Sequence, residues 1–122
     1  MDAQEPVNIL MVDDQPGNLL RYAAMLADLG EHLITATSAR EALEHLLQTD
    51  IAVILLDVNM PEIDGFALAT MIRQHPRSQQ MALLFISGVH LTDRDRLKAY
   101  AYGAVDYLTL LSFPKTQSNY HP

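Results

Sequence analysis

Short apolar runs alternate along this chain with longer stretches whose apolar residues recur every three or four positions. The runs, at about Val7–Val12, His32–Ala36, Ile51–Leu56, Ala82–Ser87 and Ala104–Thr109, read as β-strands. Ile51–Leu56 is apolar throughout, so it is expected in the middle of a sheet with both faces covered. After the first run, Pro16 suits the first turn of a helix, where its missing N–H costs nothing. Leu19, Leu20, Ala23, Leu26, Ala27 and Leu29 then follow at helical spacing up to Gly30, a natural C-cap. Ser38-Ala39-Arg40-Glu41 predicts a reciprocal capping box ahead of a helix carrying Ala42, Leu43, Leu46 and Leu47 on one face. A third helix is expected from Gly65 to His75, where Pro76 discourages continuation. A fourth opens at Thr92-Asp93-Arg94-Asp95 and reaches Tyr102 before Gly103. Strands alternating with helices imply an α/β domain whose parallel sheet has helices on both faces.

Two of the strands stop at acid. Val12 is followed by Asp13-Asp14, and Leu56 by Asp57. In such sheets ligands bind beyond the carboxyl ends of the strands, so these carboxylates, with Ser87, belong to one predicted site. Like charges brought together repel, and the cluster needs a divalent cation or a phosphoryl chemistry that uses one. An acidic pair after a strand also caps helices, and Asp13-Asp14 alone would read that way; Asp57 turns the reading toward a site. A carboxylate can attack a phosphoryl group, and Mg²⁺ on oxygen ligands neutralises the transferring charge. Asp57 would be the nucleophile, Asp13 and Asp14 the metal ligands, and Ser87 the hydroxyl on a phosphoryl oxygen.

Composition narrows the rest. The chain has 122 residues, the size of one domain, and is 49% apolar, enough for a two-sided core. It has no Cys, which excludes disulfides and thiolate metal sites and fits a reducing compartment. No apolar stretch approaches the ~20 residues of a membrane helix, and the acidic start is unlike a signal peptide. The expectation is a cytoplasmic protein without membrane insertion. A net charge of −7 with scattered Lys and Arg disfavours direct nucleic-acid binding. The five His show no zinc-ligand spacing and read as surface residues, Asp64 reads as a turn or cap, and the Met residues read as core filler.

The motifs Val12-Asp13-Asp14, Leu55-Leu56-Asp57-Val58-Asn59-Met60-Pro61, Asp64-Gly65, Ile86-Ser87-Gly88 and Gly103-Ala104-Val105-Asp106-Tyr107-Leu108 occur in order. In this the chain resembles the receiver domain of two-component response regulators, from about Asn8 to Thr109. The resemblance implies a flavodoxin-like sheet of order 2-1-3-4-5, a receiver domain over 1–111 and an irregular tail over 112–122. It makes Asp57 the phosphoacceptor. Mg²⁺ (or Mn²⁺) would be bound by Asp14 directly, by Asp13 largely through water, by Asp57 and by the backbone carbonyl of Asn59. Ser87 would meet the phosphoryl group, Gly88 would leave it room, and Tyr107 would be the switch aromatic. The partner implied is a histidine kinase or phosphotransfer protein, with an output domain in a longer chain, and the module would assist its own phosphotransfer without being an enzyme.

Two departures stand beside the resemblance. Where the family carries a Lys that pairs with the phosphoryl group, this chain has Leu110, and Lys115 lies five residues further on. The family's fifth helix is also expected to be missing, or replaced by the tail Ser112–Pro122. Such a helix, burying about four Leu-sized side chains, would contribute roughly 6–12 kcal/mol, so the tail, a second copy or further chain would have to cover that face. These departures motivate an alternative, a dimerising interaction module with impaired phosphorylation. A phosphatase-like hydrolase fits less well, because the second acid it would want is Asn59.

Overall fold

The computed structural model describes residues 5–58, 60, 65–79, 81–87, 101 and 106–109; for 87 and 106–109 the description is of the backbone. Five strands, β1 (Asn8–Val12), β2 (His32–Ala36), β3 (Val53–Asp57), β4 (Ala82–Ser87) and β5 (Asp106–Thr109), form one sheet of order β2-β1-β3-β4-β5. Every neighbouring pair is parallel. The helices are α1 (Pro16–Leu26), α2 (Ala39–Gln48) and α3 (Gly65–Gln74). The expected order and doubly wound class hold. The fourth helix, apart from the helical Ala101, and the tail lie outside the described residues.

Strand parity sorts the core, because successive side chains point to opposite faces. Leu10, Val12, Ile54, Leu56, Leu83 and Phe85 pack with Ala42 and Leu46 of α2 and with Leu68, Ala69 and Ile72 of α3. Ile9, Met11, Leu55 and Ile86 pack on the other face with Leu19 and Tyr22 of α1. β3 is buried on both faces, as its unbroken apolar run predicted, although it starts at Val53, and Ala52 before it is exposed.

Four local expectations need correction. α1 gives way to a 3₁₀ turn at Ala27–Leu29 before Gly30 closes it with φ of 73°, and Leu20 and Leu29 point to solvent while Tyr22 is buried. Leu47 of α2 is also exposed. α3 stops at Gln74, and His75 instead caps the next 3₁₀ turn through a bond from the Arg77 N–H. The capping box is only half reciprocal. Ser38 Oγ accepts from the Glu41 N–H at 3.1 Å, but the Glu41 carboxylate reaches one residue further back, to the Thr37 N–H at 2.6 Å and the Thr37 hydroxyl at 3.0 Å. Those bonds, the backbone one first, hold the Glu41 carboxyl below its ordinary range.

Candidate functional site: an acid pocket at the carboxyl edge of the sheet

Register and parity together assemble the pocket. Ile9 pairs with Val53, Met11 with Leu55 and Val12 with Leu56. One more residue along each strand sets Asp13 beside Asp57. Both acids continue the odd-numbered series that faces α1, so they emerge level and on the same side of the sheet. The Asp13 N–H extends the ladder to the Ala36 carbonyl at 3.1 Å, and the Val58 N–H does so to Ile86 at 3.2 Å. Backbone pairing therefore fixes both positions on either side of the β1–β3 seam.

Asp13, Asp14 and Asp57 each offer a carboxylate oxygen within 4.8 Å of the others. Asp13 is 1% exposed and Asp57 8%, and Asp14 is half-buried. Among the described residues, the donors that reach Asp13 are all neutral. Its Oδ1 accepts from the Gln15 N–H at 2.9 Å and from Asn18 Nδ2 at 3.3 Å. Its Oδ2 accepts from Asn18 Nδ2 at 3.1 Å and from the Tyr22 hydroxyl at 2.6 Å. Burial first, then the bond to Asp13 and the charges of Asp13 and Asp57, push the Tyr22 phenol far above its ordinary value, which keeps it a donor. Hydrogen bonds leave the carboxylate charge in place, and buried charge without a counter-charge is costly. Three all-oxygen, anionic donors at this spacing fit a hard divalent cation such as Mg²⁺ or Mn²⁺.

α3 is tied to the same edge. The Gly65 N–H donates to the Val58 carbonyl at 3.1 Å, and a Cβ at position 65 would lie 2.2 Å from the Asp57 carbonyl oxygen and 2.8 Å from Val58 Cα. Met60 is buried in the core beyond Val58. In the same core, the Phe66 and Phe85 rings pack with centroids 4.7 Å apart.

The remaining predicted residues divide two ways. Ser87 ends β4, one residue past Ile86, the register partner of Asp57, and Tyr107 pairs with Phe85 on β5. Asn59, Asp64, Gly88, Leu110 and Lys115 lie outside the described residues. Sequence reasoning missed Asn18 and Tyr22. The available signal was their i, i+4 spacing, which stacks two hydrogen-bonding side chains on the face of α1 that covers Asp13.

The family model described as the response regulator receiver domain matches residues 9–110. The chain belongs to that family. Response regulator Rre1 of Synechocystis is 31% identical over 106 residues, 86% of this chain and 46% of its own length. The signal transduction histidine-protein kinase BarA of Escherichia coli is 31% identical over 102 residues, 84% of this chain but 11% of the kinase. The receiver thus spans less than half of either relative. Among solved structures, chemotaxis protein CheY4 of Vibrio cholerae superposes with a TM-score of 0.81 at 26% identity, covering 94% of this chain and 95% of that one. No helix among the receiver's described residues is long and apolar enough to cross a membrane.

Proposed function

We propose that this receiver accepts a phosphoryl group on the Asp57 carboxylate from the phosphohistidine of a partner kinase or phosphotransfer protein. An Asp57 oxygen bonds to phosphorus as the phosphorus–nitrogen bond breaks, and that electron pair stays on the departing imidazole. Asp13, Asp14, Asp57 and the Asn59 carbonyl would hold Mg²⁺, which when bound supplies charge neutralisation for the transferring oxygens. The protein's own part is positioning: β3 presents Asp57, and the β1 register holds Asp13 and Asp14 against it. Ser87, Gly88 and Tyr107 take the roles their motif positions suggest, a hydroxyl on the phosphoryl group, space beside it, and an aromatic that follows the hydroxyl inward. The added charge and acceptor oxygens then bias the surface around β4 and β5 between two states. The module is a signalling switch of the cytoplasm, assisting its own phosphorylation without turning over a separate substrate, and it feeds an output carried elsewhere in a longer chain or complex.

The observation that carries this reading is the three-carboxylate pocket on level strand ends. Incubation with Mg²⁺ and acetyl phosphate, followed by intact mass measurement, tests it. One phosphoryl adduct is expected, lost with EDTA and absent from Asp57→Ala. No adduct, or one that survives Asp57→Ala, would overturn the assignment.

A further inference from the structure

Tyr22 is the one aromatic whose hydroxyl is given to the acid pocket among the described residues. Its ring belongs to the apolar α1 side, beside Met25, Leu26 and Leu84, while its hydroxyl reaches Asp13 Oδ2 at 2.6 Å. That length is typical of a charge-assisted O–H···O⁻ bond, roughly twice as strong as a neutral one. A carboxylate has about four lone-pair directions. Among the described residues three donors reach Asp13, the Gln15 N–H, Asn18 Nδ2 shared across both oxygens and the Tyr22 hydroxyl, which leaves about one direction for a metal-bound water. All three donors belong to the start and first turns of α1, so they turn the carboxylate toward the helix.

We infer that Tyr22 is a positioning residue that holds Asp13 back from direct contact with the cation, so that Asp13 acts through a metal-bound water. The inference rests on the Mg²⁺ reading of the pocket. It assigns Tyr22 a role in cation choice as well as in packing. Mg²⁺ dehydrates reluctantly and keeps several waters, whereas Ca²⁺ takes more oxygen ligands at longer range. An Asp13 held one water away favours the first; an Asp13 free to swing inward favours the second.

Tyr22→Phe keeps the ring and removes the hydroxyl. Water-proton relaxivity of bound Mn²⁺ counts the waters on the ion in each protein. The variant is expected to have one water fewer, and its Mg²⁺-over-Ca²⁺ affinity ratio by calorimetry is expected to fall about tenfold, the scale on which groups behind metal ligands act. A purely structural role would lower the melting temperature and leave hydration and ratio unchanged, which would overturn the inference. Wild type supplies a check that needs no variant: a water count showing Asp13 bound directly also overturns it. If Mn²⁺ and Mg²⁺ bind neither protein, the metal reading itself falls, and the inference with it. If Mg²⁺ binds both with equal hydration, Tyr22's role alone is lost.

Discussion

Asp13 is buried to 1% exposure, and the donors that reach it among the described residues are neutral: one backbone N–H, one amide, one phenol. Each donor is a separate handle on it. Asn18→Ala removes an amide that serves both carboxylate oxygens, and is expected to destabilise the fold by about 1.5–3 kcal/mol, the range for a hydrogen bond to a charged group, as read by urea unfolding. Leu110 tests the missing ammonium from the other direction. If the receiver's charge compensation is short one cation, Leu110→Lys should speed phosphorylation of Asp57 by acetyl phosphate several-fold at fixed Mg²⁺, followed by intact mass. An unchanged rate would mean that position 110 does not reach the phosphoryl group. The acids themselves were legible in the sequence because charge directly after an apolar run is conspicuous. Asn18 and Tyr22 were not, since on a helix an Asn reads as surface and a Tyr as half-buried until the face they share is known.

At the scale of elements, the strands were the most legible part, because unbroken apolar runs such as Ile54-Leu55-Leu56 have few other places to go. The helix faces were less so. The α1 pattern accommodated Leu20, which is 73% exposed, as easily as Tyr22, which is 2%, because a 3.6-residue period leaves the edge of the apolar stripe undetermined. The α2 cap gives two predictions of different kind. Ser38→Ala should cost about 1 kcal/mol. Glu41→Gln should be felt at neutral pH and fade in acid. The folded-state carboxyl titrates below its unfolded value, so its contribution is present above the ordinary Glu pKa of ~4.3 and is lost as pH falls through the depressed one. Melting wild type and variant side by side between pH 7 and pH 3 checks the convergence. At the head of α3, Gly65→Ala is expected to cost about 1–3 kcal/mol, the usual penalty for forcing atoms into a filled space, and to slow phosphorylation as well, because the clash is with the backbone of Asp57.

For the molecule as a whole, three acids gathered at one edge of the sheet repel one another, and a bound cation would offset that repulsion. Mg²⁺ at about a hundredfold its dissociation constant should stabilise the receiver by about 2.7 kcal/mol, roughly 10 °C in melting temperature for a domain of this size. Asp14→Asn should reverse that balance. Without metal it is expected to melt higher than wild type, by about 1 kcal/mol or more, since one like charge is gone, and the response to Mg²⁺ should shrink. Calorimetric melts of both proteins with and without Mg²⁺ show whether it does. The sheet order and the coincidence of Asp13 with Asp57 follow from parity and parallel pairing, which is why the gathering of these acids is legible in the sequence. Gly65 reaches further than its own element. With 2.2 Å between a would-be Cβ and the Asp57 carbonyl oxygen, any side chain at position 65 pushes on the backbone that presents Asp57. The two cores can absorb a trade of one aliphatic for another, but a chain that loses this glycine must shift the backbone of Asp57, so the path of the chain around that carboxylate is set by a residue that has no side chain at all.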